Sequence, residues 1–269
     1  MLYRFMIVLG VLGLLAGCST ATQAPEPLRL RVLTYNIHHG EGTDGQFDCQ
    51  RLADIINRAQ PDLVALQEVD RATKRSKGVD QAAKLGELTG MSHYFAEAMP
   101  YQGGSYGEAV LSRYPIAAKY RQPLSAEPTQ EPRAVAVVSI EPWEALNLRV
   151  VFAGTHLCHQ SDQTRLRQVQ AINGNRAYGG SATILAGDFN FTPDSDEYQA
   201  MIDAGWVDAA AVFGNPKPTI PADAPRRRID YVFVKPASAW KVIDVQVLDE
   251  PVASDHAPVL VELEYIQPN

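Results

Sequence analysis

Several apolar, β-rich runs of this sequence each have a polar or ionisable residue at one end. The run ILA (184–186) is followed by Gly187, Asp188 and Asn190. An ionised carboxylate at the end of a buried strand is costly unless it is paired or used in chemistry. The same pattern recurs in TYNI (34–37), LQEVD (66–70), GTHL (154–157), RIDYVF (228–233) and SDHAPV (254–259). This recurrence supports the hypothesis that the strand ends meet in one place.

In chain order the six motifs are TYNI, LQEVD, GTHL, GDFN (187–190), RIDYVF and SDHAPV. This ordered set resembles the motifs of the endonuclease/exonuclease/phosphatase superfamily, the DNase-I-like metallohydrolases. The resemblance extends from about residue 30 to residue 264. A single GDFN or SDH motif is weak evidence, whereas six motifs in the family's order are highly specific. The resemblance implies an α/β fold, a four-layer α-β-β-α sandwich of two mixed β-sheets, with the strand ends gathered at one rim.

The resemblance also implies a divalent metal. Phosphoester hydrolysis uses a hard cation to neutralise the phosphate, and carboxylate and amide oxygens suit Mg²⁺ or Mn²⁺. Glu68 is similar to the family's main metal ligand, Asn36 matches the residue that orients the metal or the phosphate, and Asp255 is expected to supply another oxygen. A surface glutamate after a strand is the alternative for Glu68, and the complete motif disfavours it.

The catalytic residues follow from the same resemblance. Asp188 corresponds to the carboxylate that positions the attacking water, and Asn190 to the amide that holds this water or a phosphate oxygen. His256 is the candidate base or electrophile, with Asp230 fixing its tautomer, a His–Asp arrangement in which water takes the place of a serine. His156 is expected to contact the phosphate or to protonate the leaving oxygen.

Three further residues are predicted to contact the substrate: Glu108, Arg133 and Tyr106. Many relatives that cleave lipids or small phosphates carry Asn at the position of Glu108, whereas DNase-I-like nucleases carry a Glu that pairs with the histidine of the THL motif. We therefore expect Glu108 to hydrogen-bond to His156 and to raise the pKa of that imidazole. Arg133 resembles the arginine that steadies the phosphate, with a plain strand-edge arginine as the alternative.

Alternating β-rich segments and a few capped helices must position these residues. Asp48 predicts the start of a helix over 49–59, and Gly90 the end of one over 80–90. Ser161 or Asp162 caps a third helix, and Ser195 caps a fourth that extends to about Ala204. Strands dominate the remainder, which predicts two packed sheets with helices outside.

The N-terminus predicts export and lipidation. Residues 1–17 read as a lipoprotein signal peptide, and LAGC (15–18) resembles a lipobox that leaves Cys18 lipidated. A simple signal peptide or an uncleaved anchor is the alternative. Residues 18–28 are expected to be a flexible linker before a catalytic domain at 29–269. Because Ser19 follows the cysteine, the expected location is the bacterial outer membrane, facing the periplasm or the cell surface.

Charge and composition narrow the range of expected substrates. The formal net charge of −7 gives no broad positive field for nucleic acid, although Arg226–Arg228 and the basic residues of 71–77 could form local patches. The leading hypothesis is a monomeric, membrane-tethered Mg²⁺-dependent phosphodiesterase or phosphatase acting on phospholipid headgroups or other phosphorylated small molecules. A metal-dependent nuclease and a non-catalytic binding module are the alternatives. Cys49 and Cys158 could form a disulfide or remain as buried thiols.

Overall fold

The computed structural model describes residues 27–146, 148–179 and 182–267. Its first seven strands are β1 (Arg29–Asn36), β2 (Leu63–Arg71), β3 (Ser92–Tyr101), β4 (Gly104–Ser112), β5 (Ala118–Leu124), β6 (Arg133–Trp143) and β7 (Leu148–His156). The others are β8 (Ala182–Asp188), β9 (Val207–Asp208), β10 (Asp230–Lys235), β11 (Trp240–Val247) and β12 (Val259–Tyr265). The helices are α1 (Cys49–Ala59), α2 (Gln81–Thr89), α3 (Asp162–Asn173), α4 (Asp196–Asp203) and α5 (Ala209–Phe213).

These strands form two six-stranded sheets. The first has the order β11-β12-β1-β2-β4-β3, and the second the order β5-β6-β7-β8-β10-β9. Strands β1 and β2 run parallel, as do β7 and β8, while the other paired strands run antiparallel. Both sheets are therefore mixed, as the sequence predicts.

Three apolar clusters hold four layers together. The central cluster lies between the sheets and includes Val32 and Ala65 from the first sheet and Phe152 and Ile184 from the second. A second cluster packs α1 and α2 on the outer face of the first sheet, and a third packs α3 and α4 on the outer face of the second. The predicted α-β-β-α sandwich is confirmed.

The helix boundaries follow from the capping residues. The side chain of Asp48 accepts a hydrogen bond from the backbone N–H of Arg51, which begins α1 where the sequence predicts it. Ser161, and not Asp162, caps α3, and Ser195 caps α4. Gly90 ends α2 with a φ of 68°, in the left-handed region that glycine adopts without steric cost.

The register of the central strands brings the motifs to one rim. Within the first sheet, Asn36 at the end of β1 pairs with Gln67 of β2. Within the second sheet, Asp188 at the end of β8 lies opposite His156 of β7 and opposite Asp230, the first residue of β10. The two central pairs of strands pack face to face, so their polar ends converge.

The predicted signal peptide, Cys18 and most of the linker lie outside the described residues. In the described ranges, no helix is long and apolar enough to cross a membrane. Cys49 and Cys158 are both buried free thiols, so they form no disulfide in this structure.

Candidate active site

Backbone conformation sets the direction of two polar side chains at the rim. Strand β2 contains a bulge between Leu66 and Val69, and Glu68 within it has a φ of 59°. Asn190, directly after β8, has a φ of 53°. Positive φ values are unfavourable for residues with a Cβ, and such local strain is concentrated at functional sites. Both side chains are thereby turned toward the same cavity.

Glu68 is the centre of a first group of potential ligands. Its Oε1 accepts a hydrogen bond from Asn36 Nδ2 at 3.2 Å, and its Oε2 lies 3.9 Å from Nδ1 of His39. His38 completes the cluster, with ligand atoms of all three ionisable residues within 4.8 Å of one another. Burial raises the pKa of Glu68, but the neighbouring His39 and the Asn36 amide outweigh it and hold this pKa well below its usual range. Glu68 is therefore ionised.

A second group, fully buried, contains Asp188, Asp230 and His256. His256 Nδ1 lies 2.9 Å from Asp230 Oδ2, which also accepts a hydrogen bond from the Thr219 hydroxyl at 2.5 Å. His256 Nε2 faces Asp188 Oδ2 at 3.7 Å. Burial lowers the pKa of His256, but the carboxylates of Asp230 and Asp188 outweigh it and raise this pKa to about 10. Burial raises the pKa of Asp188, and Asp230 adds to the effect.

One amide joins the two groups. Asn36 Nδ2 lies 3.2 Å from Glu68 Oε1 and 3.2 Å from Asp188 Oδ2. Two carboxylates from different sheets thus converge within reach of a single nitrogen atom. Oxygen ligands of this kind suit Mg²⁺ or Mn²⁺, and a cation between the carboxylates would relieve their mutual repulsion. The residues present therefore fit a divalent cation, with Glu68 and Asp188 as its charged neighbours.

His156 and Asn190 complete the buried side of the site. His156 Nε2 lies 2.9 Å from Asn190 Nδ2 and 3.3 Å from Asp188 Oδ2. The backbone N–H of Asn190 donates to Asp188 Oδ1 at 2.9 Å. Burial and then the charge of Arg133 lower the pKa of His156 well below its ordinary value. His156 is consequently neutral, and the predicted rise of its pKa is wrong.

Arg133 forms a positive wall opposite these groups. It is almost fully buried, and its guanidinium donates to the Tyr106 hydroxyl at 3.2 Å and pairs with Glu131 at 2.9 Å. A third neighbour is His159 Nδ1, at 3.3 Å. Because Arg133 and Tyr106 both line the cavity, the structure places these two sequence-predicted residues beside the catalytic groups.

The cavity itself has a volume of about 280 Å³. Among its lining residues are five of the predicted catalytic and metal-binding side chains: Glu68, His156, Asp188, Asn190 and His256. Asp230 and Asn36 lie directly behind them. The hypothesis that the strand ends meet in one place is therefore correct.

Glu108 does not occupy the position that the sequence predicts. Its side chain is fully buried, neither carboxylate oxygen has a hydrogen-bond partner among the described residues, and no bond to His156 forms. Glu108 lies two residues beyond Tyr106 on β4, so strand periodicity puts it on the same face but deeper between the sheets. The predicted contact with His156, and with a substrate in the cavity, is wrong in this geometry. Burial raises the pKa of Glu108 to about 8.

Asp255 also lies apart, because its carboxylate belongs to neither ligand group of the described residues. Sequence reasoning missed His38 and His39, which directly follow the TYNI motif, and the pair of adjacent histidines before Gly40 was an available signal. It missed His159 and Glu131 as well. These flank Arg133 from loops whose path the sequence does not specify.

Comparisons with known proteins agree with this architecture. Residues 33–256 match the model of the Endonuclease/Exonuclease/phosphatase family. The uncharacterized protein YbhP of Escherichia coli K12 is 27% identical over 245 residues, covering 87% of this chain and 95% of YbhP. An endonuclease/exonuclease/phosphatase from Beutenbergia cavernae has a TM-score of 0.70 at 26% identity, over 88% of this chain and 72% of that one. The mannosyl-6-phosphatase of Bacteroides thetaiotaomicron has a TM-score of 0.69 at 19% identity, over 87% and 99% of the respective chains, a likeness of fold alone.

Proposed function

The chain belongs to the endonuclease/exonuclease/phosphatase family, whose members are hydrolases of phosphoesters, and we propose that it is a Mg²⁺- or Mn²⁺-dependent phosphoester hydrolase. One observation carries the proposal. The carboxylates of Glu68 and Asp188, from different sheets, converge on Asn36 Nδ2 at 3.2 Å each, beside a buried His256–Asp230 pair. A non-catalytic binding module would not require this combination of strained backbone, buried carboxylates and oriented imidazoles.

Glu68, with Asn36 beside it, would hold the cation, and Asp188 faces it from the second sheet. When bound, the cation neutralises phosphate charge and stabilises the charge that develops during displacement. Asp188 accepts the proton of the attacking water, and Asn190 positions that water. The raised pKa of Asp188, which burial causes, makes this carboxylate a stronger base than an exposed aspartate.

The histidines act on the phosphate. Asp230 holds His256 in one orientation, and the raised pKa of His256 keeps this imidazole protonated, so that it donates a hydrogen bond to a phosphoryl oxygen. His156 is neutral, and its Nε2 accepts a hydrogen bond from the Asn190 side-chain amide. The water oxygen forms the new bond to phosphorus, the ester bond to the leaving oxygen breaks, and that oxygen takes up a proton from solvent, to which Asp188 then releases the proton it accepted from the attacking water.

The proposed substrate is a phospholipid headgroup or another phosphorylated small molecule. The net charge of −7 disfavours a polyanionic nucleic acid, and the first cavity, of about 280 Å³, has room for a small phosphoester. The cavity-lining Glu131 would repel the next phosphate of a nucleic-acid strand. We also propose that lipidated Cys18 tethers the domain to the outer membrane, within the roughly 33–36 Å that ten extended linker residues can span.

A metal-supplemented screen tests this function. The purified domain is assayed with Mg²⁺ or Mn²⁺ against bis-p-nitrophenyl phosphate, phospholipids, sugar phosphates and plasmid DNA. We expect hydrolysis of one of the small or lipid phosphoesters and complete loss of activity in excess EDTA. Full activity in EDTA would contradict the metal-dependent mechanism, and exclusive cleavage of DNA would establish the nuclease alternative.

A further inference from the structure

A second, larger cavity adjoins the catalytic one. Its volume is about 610 Å³, against about 280 Å³ for the first. The two share Asn190, Arg227 and Ile229 as lining residues. They are therefore two parts of one groove, with Asn190 and Arg227 at the junction. None of the catalytic steps above uses the second part.

The three consecutive arginines near the junction have different surroundings. Arg228 is buried and forms a bidentate pair with Asp208, at 2.7 and 3.1 Å, which is a structural role. Arg226 is exposed and lines neither cavity. Arg227 is exposed and lines both, and its guanidinium has no ion pair or hydrogen bond within the part of the chain that the structure describes.

The backbone of Arg227 is nevertheless fixed. Its N–H donates to Ile220 and its carbonyl accepts from Thr219, which in turn donates through its hydroxyl to Asp230. The N–H of Ala257, beside His256, donates to the carbonyl of Thr219. The backbone that carries the unpaired Arg227 guanidinium therefore belongs to the same hydrogen-bond network as the His256–Asp230 pair. This network keeps the Cα atom of Arg227 near the proposed phosphate site.

The second cavity combines hydrogen-bond donors with acceptors. Arg165 is buried and paired with Glu197 at 3.1 Å, so these charges largely cancel. Carboxylate and hydroxyl groups line the other sides, and Phe191, Leu166 and Ile229 supply apolar surface. Groups with many hydroxyls match this mixture, because each hydroxyl both donates and accepts. A second phosphate does not match it, because the lining carboxylates repel it.

We propose that the substrate occupies both cavities: its phosphate contacts Arg227 at the junction, and a polyhydroxylated group esterified to that phosphate fills the second cavity. The proposal rests on the function proposed above and narrows its substrate to phosphoesters of polyols or sugars, whether free or as a lipid headgroup. Arg227 is a binding residue for the phosphate, and the second cavity selects for this class.

The experiment compares Arg227→Gln with Arg226→Gln, a matched neighbour that lines neither cavity. The probes are methyl phosphate, which reaches only the first cavity, glucose 6-phosphate, myo-inositol 1-phosphate, and vesicles containing phosphatidylinositol. Phosphate release gives kcat/KM for each soluble probe, and release of inositol phosphate from the vesicles tests the lipid source. Calorimetry with a non-hydrolysable methylenephosphonate analogue of glucose 6-phosphate measures binding without turnover.

We expect the intact protein to prefer a polyol phosphate over methyl phosphate by at least about tenfold in kcat/KM. Arg227→Gln should weaken binding of the phosphonate about tenfold, the usual effect of removing one charged hydrogen bond, and Arg226→Gln should bind it like the unmodified chain. Leu166→Trp, which narrows the second cavity, should reduce the preference for polyol phosphates.

The outcomes separate this inference from the proposed function. Equal kcat/KM for methyl phosphate and both polyol phosphates, with Arg227→Gln binding the phosphonate normally, would overturn the inference while leaving the hydrolase intact. Arg227-dependent binding of the phosphonate, without release of phosphate or of inositol phosphate from any probe, would instead contradict the hydrolase and support the binding site.

Discussion

The two ligand groups at the rim are built from similar residues but have opposite surroundings. Glu68, with His38 and His39, is partly exposed and its pKa lies well below the usual range. Asp188, with Asp230 and His256, is fully buried and its pKa is raised. Each group combines carboxylate and imidazole, one carboxylate with two imidazoles in the first and two carboxylates with one imidazole in the second. Solvent access and neighbouring charge, not residue type, therefore determine what each carboxylate can do.

The difference indicates a division of labour. A permanently ionised, accessible carboxylate suits a cation, which competes with protons for the same oxygen atoms. A buried carboxylate with a raised pKa suits proton transfer near neutral pH. Asn36 contacts both through one nitrogen atom, so in the proposed mechanism the two tasks would be performed within a few ångströms of each other. Substitutions in the two groups should consequently affect different measurable quantities.

The largest effect is expected from the buried group. Asp188→Asn keeps the shape of the side chain but removes the base, and should lower kcat by on the order of 10²–10⁴-fold, the usual contribution of a general base. Thermal unfolding should confirm that the variant remains folded. Asp203→Asn, an exposed change on α4, is the control and should retain full activity. Turnover of Asp188→Asn within a factor of ten of the unmodified protein would contradict the assignment.

His256 and Asp188 should act as one unit, since His256 Nε2 lies 3.7 Å from Asp188 Oδ2. His256→Ala alone should also lower kcat by orders of magnitude. Combined with Asp188→Asn, it should cost less than the product of the two separate losses, because residues that serve one reacting group are non-additive. A double-mutant cycle under saturating metal measures this, and multiplicative losses would show that the two residues act independently.

A smaller effect is expected at the open group. His39 contacts Glu68 at 3.9 Å, so His39→Gln should weaken Mn²⁺ binding by roughly 10-fold, at the low end for residues around a metal ligand. Its effect on kcat at saturating Mn²⁺ should be small. His93→Gln, remote on β3, is the control. A large loss of kcat that saturating Mn²⁺ does not restore would place His39 in the catalytic group instead.

The smallest effect concerns Glu108 and is a change in stability. Burial raises the pKa of Glu108 to about 8, whereas an unfolded glutamate titrates near 4.3. Between these pH values the folded chain binds a proton that the unfolded chain has released, so stability falls as the pH rises. Glu108→Gln removes the ionisable carboxyl group and therefore also removes this loss of stability at higher pH.

The gain from Glu108→Gln should therefore be small at pH 5 and should grow to about 1–3 kcal/mol at pH 8. That corresponds to a rise in Tm of several degrees for a domain of this size. Calorimetric melting at both pH values checks it, with the exposed Glu87→Gln as control. A gain independent of pH would mean that Glu108 is not a strained buried acid.

The layers and the clustering of most candidate site residues could be predicted from the sequence, because both depend on strand ends. Apolar runs with Asp188, Asn190 or His256 near one end locate a rim wherever the strands are correctly identified. Side-chain depth was not accessible in the same way. Glu108 was expected at the rim, yet its position two residues beyond Tyr106 places it inside. The position of a residue along a strand shows how deeply it lies between the sheets only when the place where the two sheets cross is known.

The loops are the other part of the site that could not be predicted from the sequence. The neighbours of Arg133, namely Glu131 and His159, and the unpaired Arg227 lie on irregular segments. No periodicity relates such residues to a site, and their roles depend on tertiary contacts. His38 and His39 are different, because they directly follow a recognised motif and share its strand end. Extending the motif by two residues would have identified them.

Metal binding to two variants tests the division of labour most directly. Titration with Mn²⁺, followed by electron paramagnetic resonance, gives the Kd of the unmodified protein, of Glu68→Gln and of Asp188→Asn. We expect Glu68→Gln to weaken Mn²⁺ binding by at least about 10-fold. Asp188→Asn, which removes the second carboxylate facing the cation, should weaken Mn²⁺ binding less than Glu68→Gln does, while losing nearly all turnover. Intact Mn²⁺ affinity in Glu68→Gln, with affinity lost in Asp188→Asn, would contradict the assignment of the cation to the open group.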